Sequence, residues 1–134
     1  MTTSDSRSIR RASPTAQRAI GLAAGIGAWT VFSGVFFTGT GWIVPHNLLV
    51  GVAIATTAAF AAAFPGGGPL PVPGLVPRLL TGLLGAWLLA SAFVFGLSGI
   101  LFWNNVVVGA VVAVLGIASV VANRGTADVS ATAT

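Results

Sequence analysis

Between Ile20 and Ala122 the chain is apolar in long runs rather than in an alternating or amphipathic pattern, and the runs are broken at regular intervals by glycine, proline and carboxamide residues. Four runs, near 20–38, 47–64, 79–97 and 104–122, are each long enough to cross a hydrocarbon core of about 30 Å at about 1.5 Å per helical residue. The only residues in this region able to carry charge are His46 and Arg78, and both fall between runs. Transmembrane strands would alternate apolar and polar residues in segments of about ten, whereas these runs are apolar on every side. The pattern predicts an all-α membrane protein with four transmembrane helices.

The chain also repeats. Shifted by 58 residues, "GAWTVFSGVFF" at 27–37 lies over "GAWLLASAFVF" at 85–95, and "HNLLVG" at 46–51 lies over "NNVVVG" at 104–109, with no gap. Matched Trp29/Trp87, Ser33/Ser91, Phe37/Phe95 and Asn47/Asn105 carry more weight than matched Ala or Val, which arise by chance in apolar sequence. Each copy holds two spans, so both enter the membrane in the same direction and are related by an axis along its normal. The expectation is a four-helix bundle of two tandem, parallel-related hairpins. Repeat 1 covers 20–64 and repeat 2 covers 79–122. A Pro/Gly-rich linker, "PGGGPLPVPGLVPR", covers 65–78 and suits a chain leaving one hairpin for the next.

Composition supports lipid as the solvent. Residues are 55% hydrophobic and 6% charged, against about a quarter charged in ordinary soluble chains. Mean hydropathy is +0.97. All six basic residues (Arg7, Arg10, Arg11, Arg18, Arg78 and Arg124) lie on one side of a four-span arrangement. The positive-inside rule then makes both termini and the linker cytoplasmic, in the plasma (cytoplasmic) membrane of a prokaryote. The head, 1–19, reads as a disordered basic tail near anionic lipid, and the tail, 123–134, reads in the same way. The Arg10–Arg11 pair is followed by Ala-Ser-Pro rather than by apolar residues, and the first span is half of a repeat, so it reads as retained rather than as an export signal. With two acidic residues in all, the basic balance speaks for orientation and not for nucleic acid.

The repeat unit places Ser four residues after the Trp of Gly-x-Trp, then Asn and Val-Gly at the start of a second apolar helix. In this it resembles the SPW repeat family of small prokaryotic membrane proteins. The name-giving Ser-Pro-Trp is reduced here to Ser33-Gly34-Val35 and Ser91-Ala92-Phe93. The resemblance implies two spans per repeat and no particular biochemical activity. Without the proline, the first and third spans are expected to be less bent.

Candidate chemistry is sparse. There is no cysteine, a single histidine and no carboxylate in the spans, so no cofactor or metal site is expected, and neither nucleophilic catalysis nor proton coupling through a buried acid. No enzyme activity is expected. Trp29 with Ser33, and Trp87 with Ser91, share helix faces near mid-span and mark either a packing face or a pocket between hairpins. Gly51/Ala55/Ala58 and Gly109/Ala113/Gly116 form matching stripes of small residues, and Gly21/Gly25 add a weak GxxxG step. Asn47, Asn104 and Asn105 are expected to cap the second helix of each repeat, with Trp42 and Trp103 as interfacial anchors. Two functions remain open. One is an accessory or scaffold subunit packing in the bilayer against a second copy or another membrane protein; the other is a binder or facilitator of small apolar or neutral solutes along the Trp/Ser faces.

Overall fold

The computed structural model describes residues 13–37 and 40–132, with side chains described as far as Gly125. Of the irregular tail expected at 1–19, residues 1–12 lie outside the described residues, and residues 14–19 are helical instead. Four helices account for nearly all the rest: α1 (Pro14–Phe36), α2 (Ile43–Ala63), α3 (Leu75–Val94) and α4 (Gly99–Thr132). No strand occurs among the described residues. All four are long and apolar enough to cross a membrane, the crossing part of α4 being Gly99–Gly125. Hairpin α1–α2 packs against hairpin α3–α4, with α1 beside α4 and α2 beside α3, so the helices form a closed ring of four.

The packing has the polarity of a membrane protein. Leu22, Val35, Phe36, Leu49, Leu83, Phe93, Val114 and Val121 are exposed, while Thr30, Ser33, Asn47, Arg78, Thr81, Ser91, Asn105 and Ser119 have no accessible surface. In water this arrangement would be costly; in lipid it places apolar side chains against acyl chains and gathers groups needing hydrogen bonds inside. The buried hydroxyls donate to carbonyls three or four residues back on their own helices, as in Thr30 to Ile26 O (3.0 Å), Ser33 to Thr30 O (2.9 Å) and Ser91 to Leu88 O (2.6 Å).

Within each hairpin the contact is backbone against backbone, at repeat-equivalent glycines. A Cβ built on Gly27 would stand 2.6 Å from Ala55 N, and one on Gly51 would stand 2.6 Å from Val31 N. In the second hairpin Gly85 meets Ala113 N and Gly109 meets Leu89 N. The small-residue stripes therefore face the partner helix of their own hairpin. A branched residue at any of the four positions would force the helices apart. By contrast, nothing lies within 4 Å of a Cβ on Gly21 or Gly25, so that GxxxG step makes no close crossing.

Every helix starts earlier than the apolar runs suggested. Pro14 lies at the start of α1, whose cap Ser13 accepts from Ala16 N at 3.3 Å, and Pro45 and Pro77 occupy the first turns of α2 and α3. First-turn amides have no intrahelical partner, so proline costs nothing there and does not mark the end of a loop. The segment between hairpins is consequently 64–74, and Arg78 belongs to α3. Gly41 and Gly99, equivalent in the repeat, both take left-handed φ (67° and 62°) at the entrances to α2 and α4. Gly96 (φ 59°) ends α3 with Gly96 N–H on Phe93 O and Leu97 N–H on Ala92 O, a pair of bonds that closes the last turn. At its far end α4 continues to Thr132, where an irregular tail was expected; extending a helix already nucleated by its membrane span costs little per residue.

Candidate functional site

The residues that sequence reading placed at helix starts lie inside the helices. Trp42, not Asn47, precedes α2, and Asn104 and Asn105 sit in the second turn of α4. The capping assignment is therefore corrected for all three. Asn47 and Asn105 face each other across the diagonal of the ring, where α2 and α4 approach the axis relating the repeats. Asn47 Nδ2 donates to Asn105 Oδ1 at 3.0 Å, and Asn105 Nδ2 donates to Asn47 Oδ1 at 3.1 Å. Both residues are completely buried. A carboxamide carries one donor edge and one acceptor edge, so two related by a two-fold axis satisfy each other reciprocally.

The network continues outward in both directions. Asn104 Nδ2 donates to Asn105 Oδ1 at 3.4 Å, and Asn104 Oδ1 accepts the Trp29 indole N–H at 3.1 Å. On the other side His46 Nδ1 lies 3.1 Å from Asn47 Oδ1, and His46 Nε2 accepts the Trp87 indole N–H at 3.0 Å. Trp29 corresponds to Trp87 and Asn104 to His46, so the chain Trp29–Asn104–Asn105–Asn47–His46–Trp87 is its own pseudo-symmetric image. The partners fix the imidazole tautomer: an indole only donates, so Nε2 accepts, and a carboxamide oxygen only accepts, so Nδ1 donates. Phe95 packs edge-on to His46, with ring centroids 4.9 Å apart.

The expected Trp/Ser pairs do not form. Trp29 and Trp87 are nearly half exposed, at 45% and 46%, whereas Ser33 and Ser91 are buried and spend their hydrogens on their own backbones. An indole is too large for a hairpin interior built on glycine contacts, so each ring lies outside, toward lipid, and its N–H finds an acceptor on the neighbouring repeat. Trp29 also stacks on Phe36, with centroids 6.3 Å apart and planes 8° from parallel. Trp42 and Trp103 are exposed near the end of the bundle that carries the two short hairpin loops. At that end a crevice of about 650 Å³ opens between the loops, lined by Phe37, Thr40, Trp42, Phe95, Leu97 and Ser98 among others.

At the opposite end, which carries the inter-hairpin segment, Arg78 is buried in the first turn of α3. Its Nη2 donates a long bond of 3.4 Å to Ala61 O, near the end of α2. Nothing in its sequence position marked it as interior, because the prolines around it read as a loop. No group of three or more metal-ligating side chains occurs among the described residues.

Two helical hairpins joined through equivalent residues are what a tandem two-span repeat builds, and the family model for the SPW repeat domain matches residues 17–119. The chain belongs to the SPW repeat family. The match spans both hairpins, including the degenerate Ser33-Gly34-Val35 and Ser91-Ala92-Phe93 segments, and with four helices long and apolar enough to cross a membrane this is a multi-pass membrane protein. No curated protein and no solved structure matches the chain. In this SPW chain the network is the same in both repeats except at His46, where the first has imidazole and the second has Asn104. Replacing His46→Asn is accordingly expected to keep a Trp87 acceptor and stay within about 1 kcal/mol of wild type in unfolding free energy, whereas His46→Leu leaves the Trp87 N–H facing lipid without a partner and costs about 1–3 kcal/mol. Detergent-titrated unfolding followed by tryptophan fluorescence distinguishes the two.

Proposed function

We propose that this SPW protein is a non-enzymatic accessory or scaffold subunit that acts by packing in the plasma membrane of a prokaryote, with both termini cytoplasmic. The observation that carries the reading is the closure of the Trp29–Asn104–Asn105–Asn47–His46–Trp87 network. Its polar groups bond one another within the chain, and the serines and threonines bond their own helices, so what the bundle offers its surroundings is an apolar surface edged by aromatic rings. Such a surface suits lipid, a second copy or another membrane protein. The test is crosslinking in native membranes followed by purification in mild detergent. A reproducible protein partner or homo-oligomer supports the role, and an isolated monomer with nothing captured overturns it. Because the sequence has no cysteine, a single Thr2→Cys variant reports orientation cleanly: a membrane-impermeant maleimide should label it only after the cells are opened.

A second reading, binding of a small neutral solute, draws on the loop-end crevice and no longer on the Trp/Ser faces, whose rings lie outside the bundle. It predicts that Trp42 fluorescence responds to an apolar solute while that of Trp29 and Trp87 does not.

A further inference from the structure

The pseudo-symmetry of the bundle supplies an internal control for Arg78. Its equivalent in repeat 1 is Ile20, which packs with Ala23, Ala58 and Ala61 in a fully buried apolar cluster. The equivalents of those three residues in repeat 2 are Thr81, Gly116 and Ser119. All four positions have thus changed in one direction, from apolar to polar or to a smaller residue: Ile to Arg, Ala to Thr, Ala to Gly and Ala to Ser. Packing at this place in the fold does not require polarity, since repeat 1 fills it with hydrocarbon.

The result is a buried cation with no counter-charge among the described residues. Arg78, Thr81 and Ser119 have no accessible surface. The Thr81 hydroxyl donates to Pro77 O at 2.8 Å and lies 3.3 Å from the Thr57 hydroxyl of α2, and the Ser119 hydroxyl donates to Gly116 O at 2.7 Å. Arg78 makes only its long bond to Ala61 O, and its Nε and Nη1 have no hydrogen-bond partner. The sequence contains no carboxylate between Asp5 and Asp128, and Asp128 lies more than two helical turns beyond Ser119 along α4. An unpaired buried guanidinium is among the costliest arrangements a fold can hold, and the oxyanion of a carboxylate or phosphate matches its fork of donors better than a carbonyl does.

We propose that Arg78 is the centre of a phosphate-binding site, and that its ligand is the headgroup of an anionic phospholipid. Depth favours the lipid. Arg78 lies in the first turn of α3, at the end of an apolar helix of 20 residues that is just long enough to cross a hydrocarbon core, and the exposed Arg18 and Arg124 stand at the same end of the bundle on α1 and α4. Those two draw anionic lipid toward this end in a loose, screened way, whereas Arg78 with its free N–H groups holds one phosphate. The guanidinium is covered when unliganded, so binding parts the contacts around the first turn of α3 and exchanges them for bonds to the headgroup. The site stands on membrane embedding alone and is independent of any subunit role.

The test is the thermal unfolding midpoint of the purified full chain in neutral detergent, with added phosphatidylglycerol, phosphatidylcholine or inorganic phosphate, together with native mass spectrometry of bound lipid. The wild type should gain several degrees with phosphatidylglycerol and little with phosphatidylcholine, and should retain one anionic lipid in the mass spectrum. Arg78→Ile, which copies Ile20, should fold and lose both the gain and the retained lipid, while the Arg18→Gln/Arg124→Gln double variant keeps them. An equal gain with inorganic phosphate overturns the lipid assignment in favour of a free anion. An undiminished gain in Arg78→Ile, or no retained lipid in the wild type, overturns the site. If Arg78→Ile does not fold, Arg78→Lys serves in its place: it keeps the charge, lacks the guanidinium donors and should weaken lipid retention at least tenfold.

Discussion

Asn105→Leu should destabilise the bundle by about 2–4 kcal/mol, and Asn47→Leu by a similar amount, while the double variant should recover most of the loss. Leucine has nearly the shape of asparagine, so the single change opens no large cavity. What it does is leave one carboxamide fully buried with its reciprocal partner gone. An amide without partners in an apolar interior costs about 2–7 kcal/mol depending on what it can still reach, and here His46 and Asn104 compensate only in part. Removing both carboxamides leaves two leucines against each other at the axis, one turn from Val50, which is a favourable apolar contact; what is not recovered is the acceptor that each carboxamide gave to His46 Nδ1 or Asn104 Nδ2. A double-mutant cycle by reversible detergent unfolding would therefore show coupling of about 2 kcal/mol or more, above the about 0.6 kcal/mol typical of interhelical hydrogen bonds in membranes. Simple additivity would mean that the pair is an ordinary polar contact rather than the pin between repeats.

The double variant also separates stability from register. If the carboxamides set how the two hairpins are aligned, the leucine pair should be nearly as stable as wild type but less uniquely packed. The sign would be broader tryptophan emission from Trp29 and Trp87, because their acceptors Asn104 and His46 are held by the same pair.

Much of this architecture was legible in the sequence. Hydropathy located the four spans, and the 58-residue offset gave the two hairpins and their shared direction, because a bilayer forces helices on apolar segments and a repeat forces like elements into like environments. The misplaced boundaries have two causes. Pro77 reads as part of the linker but sits in the first turn of α3, which takes Arg78 into the helix with it; and Asn47, Asn104 and Asn105 read as breaks in the apolar runs because they are polar, although each lies inside a helix. The carboxamide pair was nonetheless within reach, since equivalent residues near a two-fold axis meet each other, and Asn47 and Asn105 are equivalent by the offset. The bonds from Trp29 to Asn104 and from Trp87 to His46 were harder to foresee. They depend on which helix neighbours which around the ring, and an apolar run carries no record of that when lipid and protein present the same kind of surface to it.

The glycine crossings should be the most sensitive positions of all. Gly85→Val or Gly109→Val is expected to cost upwards of about 3 kcal/mol, and even alanine about 1–3 kcal/mol, because the obstructing atoms are backbone and cannot rotate away. On Gly109 a Cβ would lie 2.5 Å from Leu89 N and 2.7 Å from Gly85 O, so relief comes only by spreading α3 and α4. Spreading the hairpin would also shift Asn105, one turn before Gly109 on α4, away from Asn47. One substitution then loses two kinds of contact. Gly21→Ala and Gly25→Ala provide the contrast: both lie in the same glycine-rich sequence with open space around them, and alanine there should be neutral or stabilise the helix by up to about 1 kcal/mol. Unfolding midpoints for the four alanine variants would separate glycine that brings helices together from glycine that is merely tolerated. If Gly85→Ala and Gly109→Ala unfolded like Gly21→Ala, close backbone approach would not be what holds each hairpin together, and the weight would shift to the apolar cluster of Val50, Ile54, Leu88 and Val112.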